Sequence, residues 1–337
     1  MEIDKKSKNK SFSFSAFISK WGILLTILIM LVVFSFTMPT FRTHNNMITI
    51  IRAVSIVTIV SIGMTMSLTV NGMDLSVGSA ASFANTLCMS FFVWYKTGQS
   101  TGLTLLSILG AIAITLVIAI VNNILIVKLN IPDMLATLAS MFMFEGVAMT
   151  YAGGGAINER MVRANGSIAE GTIPESLRVL GREPLIIIVM IVIVILAHIL
   201  LTYSKHGRYM YAVGDNPEAA KLSGINVNKY RVIAYVLSAL CAAIGGVLIG
   251  ARVGNAQINS GAVYLMGSVA AANIGVSVAG IGKPNALGTL AGAILIGVLE
   301  NGLIMASVPY YAVNIFKGVV LAVALALNYS KKHNWKE

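Results

Sequence analysis

The chain has 337 residues, of which 57% are hydrophobic and only 11% are charged, with a formal net charge of +11 and a mean hydropathy of +0.83. Soluble domains usually carry about 25% charged residues, so this composition excludes a protein that folds in water alone. The apolar runs are long and do not alternate with polar residues, which excludes a membrane β-barrel. We therefore predict an all-α, polytopic membrane helix bundle.

Apolar segments long enough to cross a bilayer as helices, which takes about 20 residues, recur along the chain. They form one transmembrane domain over residues 22–328, between a basic tail at 1–21 and a short tail at 329–337. No small-residue cleavage site follows the basic start, so the first apolar segment is expected to be retained. About ten spans are predicted, near residues 22–38, 48–70, 75–95, 102–127, 132–152, 184–202, 232–252, 262–281, 286–307 and 310–328.

The positive charges indicate the orientation, because Lys and Arg collect in cytoplasmic loops. If the N-terminus lies inside, fifteen of the 24 Lys and Arg residues fall on the cytoplasmic side and nine fall outside. Four of those nine belong to the 153–183 loop, where glutamates accompany them. This distribution predicts that both termini are cytoplasmic. It also accounts for the net charge without nucleic acid, which is not an expected partner.

Two loops are long. The outer loop at 153–183 is either a solvated connector or part of a surface that receives an external partner. The inner loop at 203–231 contains a short polar segment that predicts a helix of roughly two turns, held by packing because so short a helix is marginal in water. Its alternative interpretation is an ordinary capped loop helix. The residues behind the prediction are the N-cap candidates Asp215 and Asn216, Pro217 at the first helical position, Glu218 in the first turn, the helix formers Ala219 and Ala220, and Gly224 as the stop.

Several segments resemble one family. Glu218, Ala219 and Ala220, followed by Gly224, match the EAA…G pattern of ABC-importer permeases. Residues 207–246 read GRYMYAVGDNPEAAKLSGINVNKYRVIAYVLSALCAAIGG, which closely resembles the ribose-type branch of ABC sugar-importer permeases. Further similar segments occur in family order, so that the resemblance covers about residues 45–328. They are residues 71–79 (NGMDLSVGS), 130–138 (NIPDMLATL) with 151–155 (YAGGG), 251–257 (ARVGNAQ) and 288–299 (GTLAGAILIGVL).

The resemblance implies a permease subunit of a bacterial inner-membrane ABC importer that carries a small polar solute, a simple sugar or sugar-like molecule, by alternating access. Implied partners are a cytosolic ATPase that binds ATP and Mg, a second permease subunit, an identical or a similar chain, and an extracytoplasmic binding protein. The implied ATPase-coupling residues are Asp215, Asn216, Pro217, Glu218, Ala219, Ala220 and Gly224. Where many sugar permeases carry acidic residues, this chain reads YLMGSVAA at 264–271 and NIGVSVAG at 273–280, so the resemblance does not assign the solute.

Nothing in the sequence indicates catalysis or a metal site. The nearest approach to a P-loop is Gly282-Lys283-Pro284, which lacks the hydroxyl of the motif. Cys88 and Cys241 lie in apolar runs and are expected to be small core side chains. The alternatives to an ABC permease are a secondary transporter driven by an ion gradient and a membrane-embedded enzyme, which would need a clustered set of catalytic groups.

Polar residues inside the apolar segments are candidates for a substrate pathway or gate, because such residues usually face a bundle interior or a water-filled cavity. A break at Asn71–Asp74 precedes a span, and Asp74 either belongs to the pathway or caps the next helix through the amide of Ser76 or Val77. A second break is predicted at residues 273–277, and the similarity of residues 276–280 (VSVAG) to residues 75–79 (LSVGS) suggests an inverted repeat. The pathway candidates are Asn71, Asp74, Ser76, Asn273, Ser277, Glu145 and Glu300.

Overall fold

The computed structural model describes residues 14–163, 166–278, 282–309, 311–320 and 322, with side chains from Trp21 onward. Within these residues the chain is helical and contains no strand, only two isolated bridges, which confirms the all-α prediction for the described part. The helices are α1 Phe14–Thr37, α2 His44–Thr69, α3 Val77–Val93, α4 Thr101–Thr115, α5 Val117–Asn123, α6 Asp133–Tyr151, α7 Glu175–Leu180, α8 Leu185–Thr202, α9 Lys205–Asp215, α10 Pro217–Leu222, α11 Val227–Val253, α12 Ala262–Ser277, α13 Ala286–Met305 and α14 Tyr311–Val320.

Six of the described helical segments are long and apolar enough to cross a membrane: α2, α6, α8, α11, α13 and the continuous run Thr101–Lys128, in which a π-helical turn follows α5. Shorter apolar helices occur at Trp21–Thr37, in α3, in α12 and in α14. Each of these segments overlaps a predicted span. The six confirm a polytopic membrane protein, while the count of about ten spans stays a prediction.

Helix α2 lies at the centre of the bundle, where α8, α11, α12 and α13 contact it. Its side chains are buried along most of its length, and Ile56, Ile59 and Ile62 are fully enclosed. Small residues let its neighbours approach closely, as expected in a membrane bundle. A Cβ at Gly63, for example, would lie 2.7 Å from the Ser238 carbonyl oxygen of α11.

Two other helix pairs meet through glycine. A Cβ at Gly246 of α11 would lie 2.2 Å from the Ala81 carbonyl oxygen of α3, and a Cβ at Gly292 of α13 would lie 2.2 Å from that of Ala271 in α12. A side chain at either glycine would force backbones apart, so these positions fix how α3 and α12 pack. Both cysteines, Cys88 and Cys241, are buried and unpaired in disulfides, as predicted.

The predicted second break at 273–277 is wrong. Helix α12 runs without interruption through Asn273 and ends at Ser277. The Asn273 amide group donates to the Val269 carbonyl oxygen one turn earlier, at 2.8 Å, so this polar side chain is satisfied along the helix and does not interrupt it. Residues 276–277 are therefore helical, whereas residues 75–76 form a turn before α3. The inverted repeat stays a prediction, and residues 279–281 lie outside the described part.

Candidate coupling surface and buried polar cluster

Helices α9 and α10, which we call the coupling segment, project from one end of the bundle with their own capping groups. The Asn216 side chain accepts a hydrogen bond from the Ala219 amide at 3.0 Å, and Pro217 occupies the first position of α10. Of the two predicted caps, Asn216 is therefore the one used. Asp215 instead forms an ion pair with Lys283, with 2.8 Å between Oδ2 and Nζ.

Helix α10 ends as the sequence predicts. Gly224 adopts the left-handed conformation with φ of 78°, which favours glycine. Its amide donates to the Lys221 carbonyl oxygen at 3.0 Å, and the next amide, that of Ile225, donates to the Ala220 carbonyl oxygen at 3.0 Å. These bonds satisfy carbonyl groups that the end of a helix would otherwise leave open. The chain then turns directly into α11.

The two alanines of the motif face in different directions. Ala220 is only 4% exposed and packs into the protein, whereas Ala219, Glu218 and Lys221 are exposed. Of the two alanines, only Ala219 can therefore form part of an outward surface. Leu222 is 90% exposed, the highest value among the large apolar side chains of the described residues. Sequence reasoning missed it, although a residue two positions after an inward-facing alanine points to the opposite side of a helix.

The coupling segment rests on the ends of transmembrane helices. At Gly214 of α9 a Cβ would lie 2.2 Å from the Thr69 carbonyl oxygen, so α9 packs tightly against the last residues of α2. The Tyr211 hydroxyl donates to the Pro284 carbonyl oxygen at 2.5 Å. Burial raises the pKa of the Tyr211 phenol to about 12. The hydroxyl therefore stays protonated at neutral pH and remains a donor.

A buried polar cluster surrounds the break between α2 and α3. Asp74 is fully buried, and its Oδ1 accepts hydrogen bonds from the Ser76 amide at 3.0 Å and the Ser76 hydroxyl at 2.5 Å. The predicted bond to the Ser76 amide is thus present, but α3 begins only at Val77 with Ser76 as its N-cap residue, so Asp74 holds the turn before the helix. The Ser76 hydroxyl accepts in turn from the Asn122 side chain at 2.9 Å, which ties α3 to α5.

The cluster extends to α6 and α11. The Ser140 hydroxyl of α6 donates to Oδ1 of the Asn122 side chain, and the Tyr235 hydroxyl of α11 donates to Asp133 Oδ2 at 2.7 Å. Among the described residues, Asp74 Oδ2 and the Ser238 hydroxyl of α11 are buried without a hydrogen-bond partner. The break thus lies inside protein, where irregular backbone is tolerated at membrane depth.

The structure does not gather the predicted pathway residues into one site. Asn71 is exposed and ends α2 in the left-handed conformation with φ of 59°, apart from the cluster that contains Asp74 and Ser76. Ser277 is half-buried at the end of α12. Asn273 is half-buried and bonds along its own helix. Asn71 is thus a helix terminator, while the pathway roles of the other residues remain predictions.

Glu300 and Glu145 have different surroundings. Glu300 forms an ion pair with Lys317 of α14 at 2.9 Å, and Lys317 is buried. Sequence reasoning gave Lys317 no role, and one sequence carries no signal that would pair it with a residue on another helix. Glu145 lies half-buried on α6 and, among the described residues, has no hydrogen-bond or ion-pair partner.

At the opposite end of the bundle, the 153–183 segment is folded and cross-linked by charge pairs. Arg178 pairs with Glu159 at 3.0 Å, and Glu170 pairs with Lys96. The neighbouring Lys96 ammonium lowers the pKa of the Glu170 carboxyl. A concavity of about 580 Å³ opens beside these groups, lined by residues 159–160 and 168–172. The segment is therefore more than a loose connector, because it forms a shaped, charged surface.

Comparisons with known proteins agree with this architecture. The family described as "Branched-chain amino acid transport system / permease component" matches residues 46–325, and the chain belongs to this family. It is thus a multi-pass inner-membrane protein, the permease subunit of an ABC importer, and a transport component rather than an enzyme. No solved structure matches.

Among its relatives, the ribose import permease protein RbsC of Escherichia coli (strain K12) is 32% identical over 310 residues, which cover 92% of this chain and 93% of the relative. RbsC of Bacillus subtilis (strain 168) is 30% identical, covering 97% and 98%. The galactose/methyl galactoside import permease protein MglC of E. coli (strain K12) is 31% identical, covering 94% and 96%.

The Asp74 cluster allows a test of what its carboxyl contributes. Replacing Asp74 with Ala leaves the buried Ser76 amide without its acceptor, and we expect a loss of about 1–3 kcal/mol in the free energy of unfolding. Asp74→Asn keeps an oxygen acceptor of the same size and should lose less. Thermal unfolding in a mild detergent measures both variants. Equal stability of Asp74→Ala and the unsubstituted protein would contradict a stabilising role for the bond between Asp74 and the Ser76 amide.

Proposed function

We propose that the chain carries a simple sugar or a sugar-like solute across the membrane by alternating access, driven by a cytosolic ATPase that binds the coupling segment. The main support is the exposed helix α10, which is capped at both ends and follows α9, the helix that packs against the last residues of α2. ATP and Mg would bind the partner ATPase. Membership of a family of permease components disfavours a secondary transporter driven by an ion gradient, and no observation favours that alternative.

The proposed function also implies how the chain is arranged in the membrane. The ten apolar helices of the described part would all cross, with α1 starting and α14 returning on the cytoplasmic side, where the coupling segment lies. A binding protein would deliver the solute to the folded 153–183 segment at the other end. Its charge pairs hold a shaped surface there, and the exposed Arg160 borders the concavity.

A second permease subunit would complete the pathway along α6. This helix packs against α3, where Phe144 meets Phe83 with ring centroids 5.8 Å apart, and it leaves much of its remaining surface exposed. On the flank of that surface lies Glu145, whose charge is costly against lipid alone. A water-filled path between two subunits would hydrate the carboxylate and let it accept hydrogen bonds from solute hydroxyls. Glu145 is therefore our first choice among the pathway candidates.

The solute class rests on the relatives. RbsC and MglC are named for the import of ribose and of galactose or methyl galactoside. Both names denote solutes rich in hydroxyl groups, which suit a carboxylate acceptor such as Glu145. Ribose and galactose are accordingly the first probes to test.

ATPase attachment should depend on Leu222, because its 90% exposed side chain is free to enter a cleft on the partner. Burial of a leucine contributes about 1.5–3 kcal/mol, so Leu222→Asp should weaken ATPase binding by roughly tenfold or more. Co-purification of the ATPase with the tagged permease in detergent measures this.

Ser223→Asp is the matched control for that variant. It places the same charge one residue later at an exposed position but removes no apolar side chain. We expect it to retain most of the ATPase. Full ATPase retention by Leu222→Asp, or an equal loss in both variants, would argue against an apolar contact at Leu222.

Solute transfer should depend on the charge of Glu145. Glu145→Gln keeps the shape but removes the charge-assisted hydrogen bonds, each worth about 1.5–3 kcal/mol, so uptake should fall about tenfold while ATPase association is unchanged. Met143→Gln, on the opposite side of α6, is the control and should preserve uptake. Uptake of radiolabelled ribose and galactose by intact cells is the measurement. Normal uptake by Glu145→Gln would remove this residue from the pathway.

A further inference from the structure

We infer that Tyr211, Asp215 and Lys283 form a strut that transmits movement of the coupling segment to the corner between α12 and α13. They are positioning residues for transport, because they act through helices and need not touch the solute. The inference rests on the proposed function, since the movement requires an ATPase on α10.

Three contacts converge on residues 283–284. The Tyr211 hydroxyl donates to the Pro284 carbonyl oxygen at 2.5 Å, and Lys283 Nζ lies 2.8 Å from Asp215 Oδ2. The same Nζ lies 5.6 Å from the centroid of the Tyr211 ring, within the range of a cation–π interaction. Tyr211 and Asp215 are four residues apart and therefore share one face of α9. That face is thus fixed to the loop before α13 at two points.

The two points differ in strength. Tyr211 is partly buried, so its hydrogen bond is shielded from water. We expect this bond to transmit most of the movement from α9 to Pro284. The Asp215–Lys283 pair is more than half exposed on the Asp215 side, and exposed pairs contribute little to stability. Its role is to orient the loop so that the Pro284 carbonyl oxygen faces the tyrosine.

The residue after Pro284 holds the end of α12 to the start of α13. Asn285 is buried, and its side chain donates to the Gly275 carbonyl oxygen near the end of α12 at 3.1 Å while accepting from the Gly288 amide at the start of α13 at 2.7 Å. A Cβ at Gly275 would lie 2.5 Å from the Thr289 amide, so the helices touch there. A displacement of Pro284 therefore moves the ends of α12 and α13 together.

The strut connects the coupling segment to the corner between α12 and α13, which does not directly follow that segment in the chain. The coupling segment leads directly into α11 and rests on α2 through Gly214. Helices α12 and α13 follow α11 and contact each other closely, so along the chain a movement of α10 would reach their corner only after the full lengths of α11 and α12. Without Tyr211 and Lys283, a push on α10 would reach α2 and α11 directly but α12 and α13 only through side-chain packing.

The test uses a reporter that does not depend on knowing the solute. Leu287 is 51% exposed in the first turn of α13, and both native cysteines are buried, so Leu287→Cys provides one accessible thiol. The permease–ATPase complex in nanodiscs is labelled with a water-soluble maleimide, with and without a non-hydrolysable ATP analogue. We expect the nucleotide to change the labelling rate. Tyr211→Phe should reduce that change about fivefold, the effect of one lost hydrogen bond on a two-state equilibrium.

Controls separate the strut from the proposed function. Tyr211→Phe keeps the ring, so the variant should retain a normal amount of ATPase. Lys283→Gln should reduce the nucleotide-dependent change in labelling rate by less than Tyr211→Phe does. Lys283→Arg keeps the charge and should restore that change. Lys205→Gln removes a charge from the same helix away from the strut and should respond fully. Two results would overturn the strut and leave the proposed function intact. One is a full nucleotide response in Tyr211→Phe. The other is no nucleotide response in the complex that carries only Leu287→Cys, although the ATPase is bound. Failure of the unsubstituted permease to bind any ATPase would instead overturn the proposed function.

Discussion

Polar groups at the break between α2 and α3 need partners inside the protein, because lipid offers none. Asp74 Oδ1 and Ser76 find theirs among each other and in Asn122, which Ser140 holds in turn, so the hydrogen bonds at one break fix the mutual positions of α3, α5 and α6. Asp74 Oδ2 is left without such a partner. Tyr235 and Asp133 hold α11 to α6 beside it. The bundle is thus organised around a polar joint at the end where α9 also docks.

This joint and the coupling segment lie together at one end of the central helix. Gly214 of α9 packs on Thr69, the last residue of α2, and the break starts directly after it. A force applied to α10 would therefore act beside an irregular stretch of backbone that side-chain hydrogen bonds hold in place. A hydrogen-bond network that can re-form in a second arrangement is the kind of element that switches between discrete states.

The helices could be predicted from short stretches of sequence. Asn216, Pro217 and Gly224 specify the start and end of α10 within ten residues of sequence, and the apolar runs placed every long helix. The face that α10 buries was harder to predict, because whether Ala220 or Ala219 turns inward depends on contacts with α9 and α11. The Glu300–Lys317 pair joins residues on different helices, so one sequence carries no signal for it. Asn273 misled because a side chain bonded to its own helix resembles a break in a sequence pattern.

If a separate ATPase drives transport, right-side-out membrane vesicles should accumulate solute only when that ATPase is present. Vesicles containing the permease with or without its ATPase are supplied with external binding protein and radiolabelled ribose or galactose. They are energised either by internal ATP or by an ion gradient alone. We expect accumulation only in vesicles that contain both the ATPase and internal ATP. Accumulation driven by the gradient in vesicles that lack the ATPase would contradict it.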